Sequence, residues 1–115
     1  MLAEDDLTMV TLLKTLLDME GYQVTALTID DDIFEAVRKE QPDILLLDVH
    51  LPNANGLDVL DQVRADDETK NLKVVMTSGL NLDVECMQHG ANGFLLKPYM
   101  PDDLLNILKR NISPS

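Results

Sequence analysis

The chain has 115 residues, which is enough for one domain and too few for two. Its net charge of −12 repels nucleic-acid phosphates, so direct DNA or RNA binding is not expected. The single cysteine, Cys86, excludes an internal disulfide and favours a cytoplasmic location. No apolar run approaches the roughly 20 residues of a membrane helix, so no association with a membrane is expected.

Short apolar runs alternate with amphipathic stretches along the chain. In chain order, the apolar runs predict strands at residues 1–3, 22–27, 42–48, 72–76 and 93–96. The amphipathic stretches predict helices at residues 7–20, 30–39, 57–65, 82–89 and 101–110, and the fourth of these is short and weak. The segment 50–56 is rich in turn residues and is predicted to be a loop.

This order of elements predicts the fold class. The run from Ile44 to Leu47 is continuously apolar, which suits a strand covered on both faces. Strands that alternate with helices imply a parallel sheet with right-handed crossovers. We therefore predict an α/β, doubly wound, three-layer (βα)5 sandwich around a five-stranded parallel sheet.

Polar residues stand where four of the predicted strands end. They are Glu4-Asp5-Asp6, Asp48, Thr77-Ser78 and Lys97-Pro98. Open α/β sheets bind ligands outside the carboxyl ends of their strands, so these side chains are expected at one edge. An acid after a strand is often only a helix cap, and Asp6 is interpreted as one.

The charges at this edge favour a divalent cation. Glu4, Asp5 and Asp48 contribute −3 and Lys97 contributes +1, which leaves −2. Oxygen ligands favour a hard ion, and Mg²⁺ (or Mn²⁺) suits phosphoryl chemistry. Asp48 could then accept a phosphoryl group as nucleophile, with Lys97 against the phosphoryl oxygens and the Thr77 hydroxyl bonding one of them.

These motifs resemble the receiver domain of bacterial two-component response regulators along essentially the whole chain. They are Glu4-Asp5, then Asp48 in PDILLLDVHLPNANG, then Thr77-Ser78 after KVVM, then Lys97-Pro98 in GANGFLLKPY. The resemblance implies a flavodoxin-like sheet with strand order 2-1-3-4-5. It also implies a receiver domain over residues 1–112, with 113–115 as a tail or the start of a linker.

The resemblance implies a role for each site residue. Asp48 is the expected phosphoacceptor, and Asp5 is the expected direct metal ligand. Glu4 is expected to reach the metal mostly through water, and His50 to give its backbone carbonyl.

Three further residues have expected roles in phosphate binding and switching. Thr77 is the expected switch hydroxyl, and Phe94 matches the aromatic switch position. Lys97 is the expected phosphate-binding amine, held by a cis peptide bond to Pro98.

The expected donor is a phosphohistidine on a sensor histidine kinase or a histidine phosphotransfer protein, and the downstream protein is not identified. Such a domain is a switch rather than an enzyme, and it is a monomer or a phosphorylation-dependent dimer.

Two departures from the family stand out. The first strand is short, and the stretch 77–90 is about two residues shorter than usual, which predicts a short or irregular fourth helix and leaves the usual output face open.

Two other functions remain open at this point. One is a receiver-like interaction module that phosphorylation does not regulate. The other is a phosphatase that passes through an aspartyl phosphate. Such phosphatases commonly carry a second acid two residues after the nucleophile, and that place holds His50 here.

Overall fold

Helices and strands alternate along the chain in a computed structural model that describes residues 1–28 and 30–112. The strands are β1 (Leu2–Ala3), β2 (Ile44–Asp48), β3 (His50–Leu51), β4 (Ala54–Asn55), β5 (Lys73–Ser78) and β6 (Gly93–Leu96). The helices are α1 (Leu7–Met19), α2 (Ile33–Glu40), α3 (Gly56–Ala65), α4 (Asp83–Gln88) and α5 (Pro101–Ile112). The predicted tail, 113–115, lies outside the described residues.

The main sheet is parallel, in the order β1-β2-β5-β6. Its register pairs Asp48 at the end of β2 with Thr77 near the end of β5. Both strands therefore deliver their last side chains to the same edge. The predicted α/β class and the parallel sheet are confirmed.

The predicted count of five strands is not met, because the described sheet has four. Residues 22–27 were expected to form the second strand, but they make a single parallel bridge between Ala26 and Leu2. Two hydrogen bonds hold that bridge, from Leu2 to Thr25 and from Leu27 to Leu2. This contact stays a single bridge, although the same two residues of β1 pair with two residues of β2.

The loop predicted after Asp48 contains a small antiparallel hairpin. His50 pairs with Asn55, and Leu51 pairs with Ala54. The Gly56 amide then donates to the Val49 carbonyl at 2.7 Å, which returns the chain to the end of β2. A two-residue strand is too short to show the alternation of apolar and polar residues that predicts a strand. Only the turn residues of this segment could therefore be recognised in the sequence.

Side-chain caps set where the first two helices begin. Asp6 accepts hydrogen bonds from the amides of Thr8 and Met9, as its interpretation as a cap requires. Asp32 accepts from the Glu35 amide, so α2 begins at Ile33 rather than at the predicted Asp30. The short α4, six residues long, agrees with the prediction for that stretch.

The sheet separates two apolar cores. One core packs α2, α3 and α4 against one face of the sheet, and it includes Val37, Leu60, Cys86, Leu45 and Met76. The other packs α1 and α5 against the opposite face, and it includes Leu13, Leu104, Leu46, Val75 and Leu95. Alternate residues of β2 and β5 enter opposite cores, as the period of a strand requires. The helices within 1–28 and 30–112 are all too short or too polar to cross a membrane.

Candidate functional site

The ends of four parallel strands meet at one edge of the sheet. Glu4 and Asp5 directly follow β1, Asp48 ends β2, and Thr77 lies near the end of β5. Lys97 directly follows β6. All four strands run in the same direction, so these side chains share one edge, as the sequence predicted.

The Lys97 ammonium joins two of the carboxylates. Its Nζ lies 2.7 Å from Asp48 Oδ2 and 2.6 Å from Glu4 Oε1. Asp48 and Glu4 are only 5% and 7% exposed, so water screens these contacts weakly. The lysine therefore neutralises part of the negative charge buried at this edge.

The pKa of Lys97 reflects two opposing effects. Burial lowers it, but hydrogen bonds and charges from Asp48 and Glu4 raise it by more, so the pKa lies above the ordinary 10.5. The stability that this contact contributes is fully present below pH 10.5 and is lost as pH rises through the higher folded pKa. The ammonium is therefore charged at neutral pH.

Backbone amides fix the two buried carboxylates. Glu4 Oε2 accepts from the amides of Asp5 and Asp6 at 2.9 and 3.3 Å. Asp48 Oδ1 accepts from the His50 amide at 3.1 Å. Each carboxylate thus uses one oxygen for the main chain and the other for Lys97.

The same edge holds a set of oxygen ligands that fits a divalent cation. Carboxylate oxygens of Glu4, Asp5 and Asp48 all lie within 4.8 Å of one another. Asp5 is exposed while the other two are buried, so the set opens to solvent on the Asp5 side. Three carboxylates and one ammonium leave a net negative charge, and carboxylate oxygens are the ligands by which proteins bind Mg²⁺.

Three other predicted residues lie on β3, β5 and β6. Thr77 is 3% exposed at the end of β5, next to Asp48 on β2. Phe94 is half-buried on β6, where it pairs with Met76 and packs against the core of α2, α3 and α4. His50 is exposed at the start of the small hairpin.

Tyr99 is a neighbour of the site that the sequence prediction missed. It is half-buried against the core of α1 and α5. Burial, and then the charge of Glu4, raise its pKa to about 12, and the Lys97 ammonium opposes this rise. A tyrosine two residues after the lysine was visible in the sequence, but nothing marked it as lying within reach of these charges.

The raised pKa of Tyr99 gives a testable pH dependence. In the unfolded chain this phenol would ionise near pH 10. Between pH 10 and about 12 the unfolded chain therefore loses the proton that the folded protein keeps, so the free energy of unfolding falls as pH rises. We expect Tyr99→Phe to remove the ionisation step near pH 12, measured by phenolate absorbance. The variant should also lose less stability over this pH range, and an unchanged titration would contradict the assignment.

The fold and the clustered acids define a class of α/β protein with a carboxylate site at the strand ends, and comparison with known proteins gives the family. Residues 1–109 match the model of the response regulator receiver domain, so the chain belongs to this family. Its role is that of a phosphoacceptor receiver in two-component signalling. Receiver domains interact with histidine kinases and are generally not enzymes.

Individual relatives agree with this assignment. The chain is 37% identical to the transcriptional regulatory protein CpxR of Klebsiella pneumoniae, over 91% of this chain and 45% of that protein. The chain spans less than half the length of the first curated relatives that it matches.

Two crystal structures show the same fold along nearly the whole chain. One is a response regulator of Chloroflexus aurantiacus, with a TM-score of 0.89 and 28% identity over 98% of this chain and 96% of that one. The other is the receiver domain of the sensor histidine kinase PA1611 of Pseudomonas aeruginosa, with a magnesium ion in its active-site cleft. Its TM-score is 0.85, with 29% identity over 98% of this chain and 95% of that one.

Proposed function

We propose that Asp48 is the residue that accepts the phosphoryl group, in a reaction that depends on Mg²⁺. The observation that carries the proposal is the pair of contacts from Lys97 to Asp48 and Glu4, since they place a cation where phosphoryl oxygens would arrive. The donor would be a phosphohistidine on a sensor kinase or a phosphotransfer protein. The PA1611 receiver, with its magnesium ion, supports the choice of metal.

The chemistry is a displacement at phosphorus. One Asp48 oxygen attacks the phosphorus, the bond from phosphorus to the donor nitrogen breaks, and the imidazole leaves with that electron pair. Asp48 Oδ2 has to exchange its contact with Lys97 for the phosphoryl group, and the ammonium then pairs with a phosphoryl oxygen. When bound at Glu4, Asp5 and Asp48, Mg²⁺ would supply positive charge against the other phosphoryl oxygens.

Thr77 and Phe94 would change position when Asp48 is phosphorylated. The Thr77 hydroxyl would bond a phosphoryl oxygen, and Phe94 would change rotamer as Thr77 moved. The backbone carbonyl of His50 would complete the metal ligands. Phosphorylation would bias an existing equilibrium between two conformations rather than create a new one.

An intact-mass experiment tests this function. We expect wild-type protein, incubated with Mg²⁺ and acetyl phosphate, to gain one phosphoryl group, and we expect none in EDTA. The adduct should be lost in Asp48→Asn, because an amide is a poor nucleophile. Absence of the adduct in wild type, or its persistence in the variant, would overturn the proposal, whereas multiple turnover of a phosphorylated substrate would favour the phosphatase.

A further inference from the structure

A cavity of about 190 Å³ lies beside the carboxylate set, at one end of the core of α2, α3 and α4. The segment that leads into α2 forms one wall, and the hairpin of β3 and β4 forms another. Glu4 and Asp5 line one side of the cavity. The phosphorylation proposed above uses only that side, so the rest of the cavity has no role in it.

The inner surface of the cavity is apolar. Ile33 and Val59 are 8% and 6% exposed and belong to the buried core. Leu27, Phe34 and Leu51 also line the cavity, but they are only partly buried where they pack against that core. A ligand that covers these side chains removes apolar surface from water, which favours its binding.

The solvent side of the cavity is acidic. Asp5, Asp31 and Asp32 line it and are all exposed. None of the described lining residues is basic, and no described lysine, arginine or histidine forms an ion pair with these three acids. Glu4 lines the cavity as well, but its charge is paired with Lys97. Three unpaired carboxylates therefore favour a positively charged ligand.

Local hydrogen bonds hold two of these acids in place. Asp31 Oδ2 accepts from the Thr28 amide at 2.7 Å and from the Thr28 hydroxyl at 3.1 Å. Asp32 Oδ1 accepts from the Glu35 amide at 3.1 Å, as the cap of α2. Each carboxylate uses one oxygen in this way, and its other oxygen can accept from a ligand. Acceptors that are already ordered reduce the entropy cost of binding.

We propose that this cavity binds a small organic cation, in which a short arm joins an aromatic ring to a protonated amine. An apolar cavity of about 150 Å³ takes benzene, so one of about 190 Å³ has room for a ring and a short arm. The ring would lie against Leu27, Phe34 and Leu51, and the ammonium would lie between Asp31 and Asp32. Each part of the ligand then meets the part of the cavity with matching chemistry.

The amine and the metal are expected to oppose each other, because Asp5 belongs to both sites. This part of the inference rests on the function proposed above. Bound Mg²⁺ would remove negative charge from the side of the cavity, so saturating Mg²⁺ should weaken amine binding about fivefold. Linkage requires that a saturating amine weaken Mg²⁺ binding by the same factor. Such an amine would therefore slow phosphorylation when Mg²⁺ is scarce.

Methyl NMR of the full chain without Mg²⁺ tests the cavity, with 2-phenylethylamine as the probe. We expect the methyl groups of Leu27, Ile33 and Val59 to shift, with a Kd of about 0.5 mM for a ligand of about nine non-hydrogen atoms. The uncharged 2-phenylethanol should bind about tenfold more weakly. Ethylamine, which has the charge without the ring, should leave these methyl groups unshifted.

Asparagine variants test the charge without removing the side chain. Asparagine caps a helix as well as aspartate does, so Asp32→Asn should keep α2 intact. We expect the double variant Asp31→Asn and Asp32→Asn to bind the amine about tenfold more weakly and to bind 2-phenylethanol as wild type does. Asp18→Asn is the matched control, because Asp18 is exposed on α1, across the sheet from the cavity. It should bind both compounds as wild type does.

A larger side chain tests the volume. Ala54 lines the cavity from the hairpin, so Ala54→Leu should weaken binding of the amine and of the alcohol alike, by about tenfold. Ala65→Leu is the control, because Ala65 is exposed at the end of α3. If Ala54→Leu does not fold, the asparagine variants still decide the question.

The outcomes separate this proposal from the function proposed for Asp48, because the methyl shifts need neither Mg²⁺ nor a phosphodonor. Equal binding of the amine and the alcohol, or no methyl shift at about twenty times the expected Kd, would overturn the cation site alone. If the amine binds and no phosphoryl adduct forms, the function proposed for Asp48 fails alone. If both form and Mg²⁺ leaves the Kd of the amine unchanged, the opposition between the two ligands is overturned.

Discussion

Lys97→Met is expected to slow phosphorylation of the protein by about 10² to 10³-fold, because it removes a preorganised cation from the developing phosphoryl charge. The same substitution leaves Glu4 and Asp48 as buried carboxylates without their shared partner. Breaking a buried ion pair costs about 3–5 kcal/mol, so the free energy of unfolding should fall by an amount of this order when no divalent cation is present.

Added Mg²⁺ should restore part of that stability. With the ammonium gone, the three carboxylates carry −3 rather than −2, so we expect Mg²⁺ to bind more tightly to the variant than to wild type. Urea unfolding with and without Mg²⁺ measures the stability, and intact mass over time measures the rate. Lys73→Met is the control, because Lys73 is exposed at the start of β5. If Lys97→Met had the stability and the phosphorylation rate of wild type, the contacts of Lys97 with Glu4 and Asp48 would contribute to neither property.

Gly56→Ala is expected to destabilise the protein by about 3 kcal/mol, through overlap with backbone. A Cβ at position 56 would overlap the Asp48 carbonyl oxygen and would lie 2.8 Å from Val49 Cα. Backbone atoms at the end of a central strand cannot move without disturbing the ladder to β5. Because Asp48 itself must shift, we also expect slower phosphorylation.

Gly79→Ala is a matched control for this substitution. A Cβ at position 79 would meet no atom within 4 Å, although Gly79 directly follows the same edge of the sheet. We expect its free energy of unfolding to stay within about 0.5 kcal/mol of wild type. Equal stability of the two variants in thermal or urea unfolding would contradict the close approach at Gly56.

Much of the site could be predicted because the residues that end the strands of a parallel sheet lie at the same edge. Each strand gives one local signal, an apolar run with a polar residue at its end, and the parallel sheet brings those ends together. Glu4, Asp48 and Lys97 are far apart in the chain and yet lie in contact for this reason. Their roles in phosphoryl transfer stay predictions until the mass experiment is done.

The remaining features depended on contacts that leave no local pattern. The segment 22–27 has strand-like residues, but in the folded chain it makes a single bridge, from Ala26 to Leu2. Arg64 lies in the last turn of α3, and only the folded chain brings Gly90 and Asn92 to it. The unusual environment of Tyr99 likewise arises from charges on other strands.

The division of the interior into two cores has a consequence for engineering. Leu60 belongs to the core of α2, α3 and α4, whereas Leu104 belongs to the core of α1 and α5, and the sheet lies between them. Substitutions at sites that share no contacts change stability additively. Each core can therefore be repacked without reoptimising the other. A library that varies the core of α1 and α5 should leave the residues that pack against α4 unchanged.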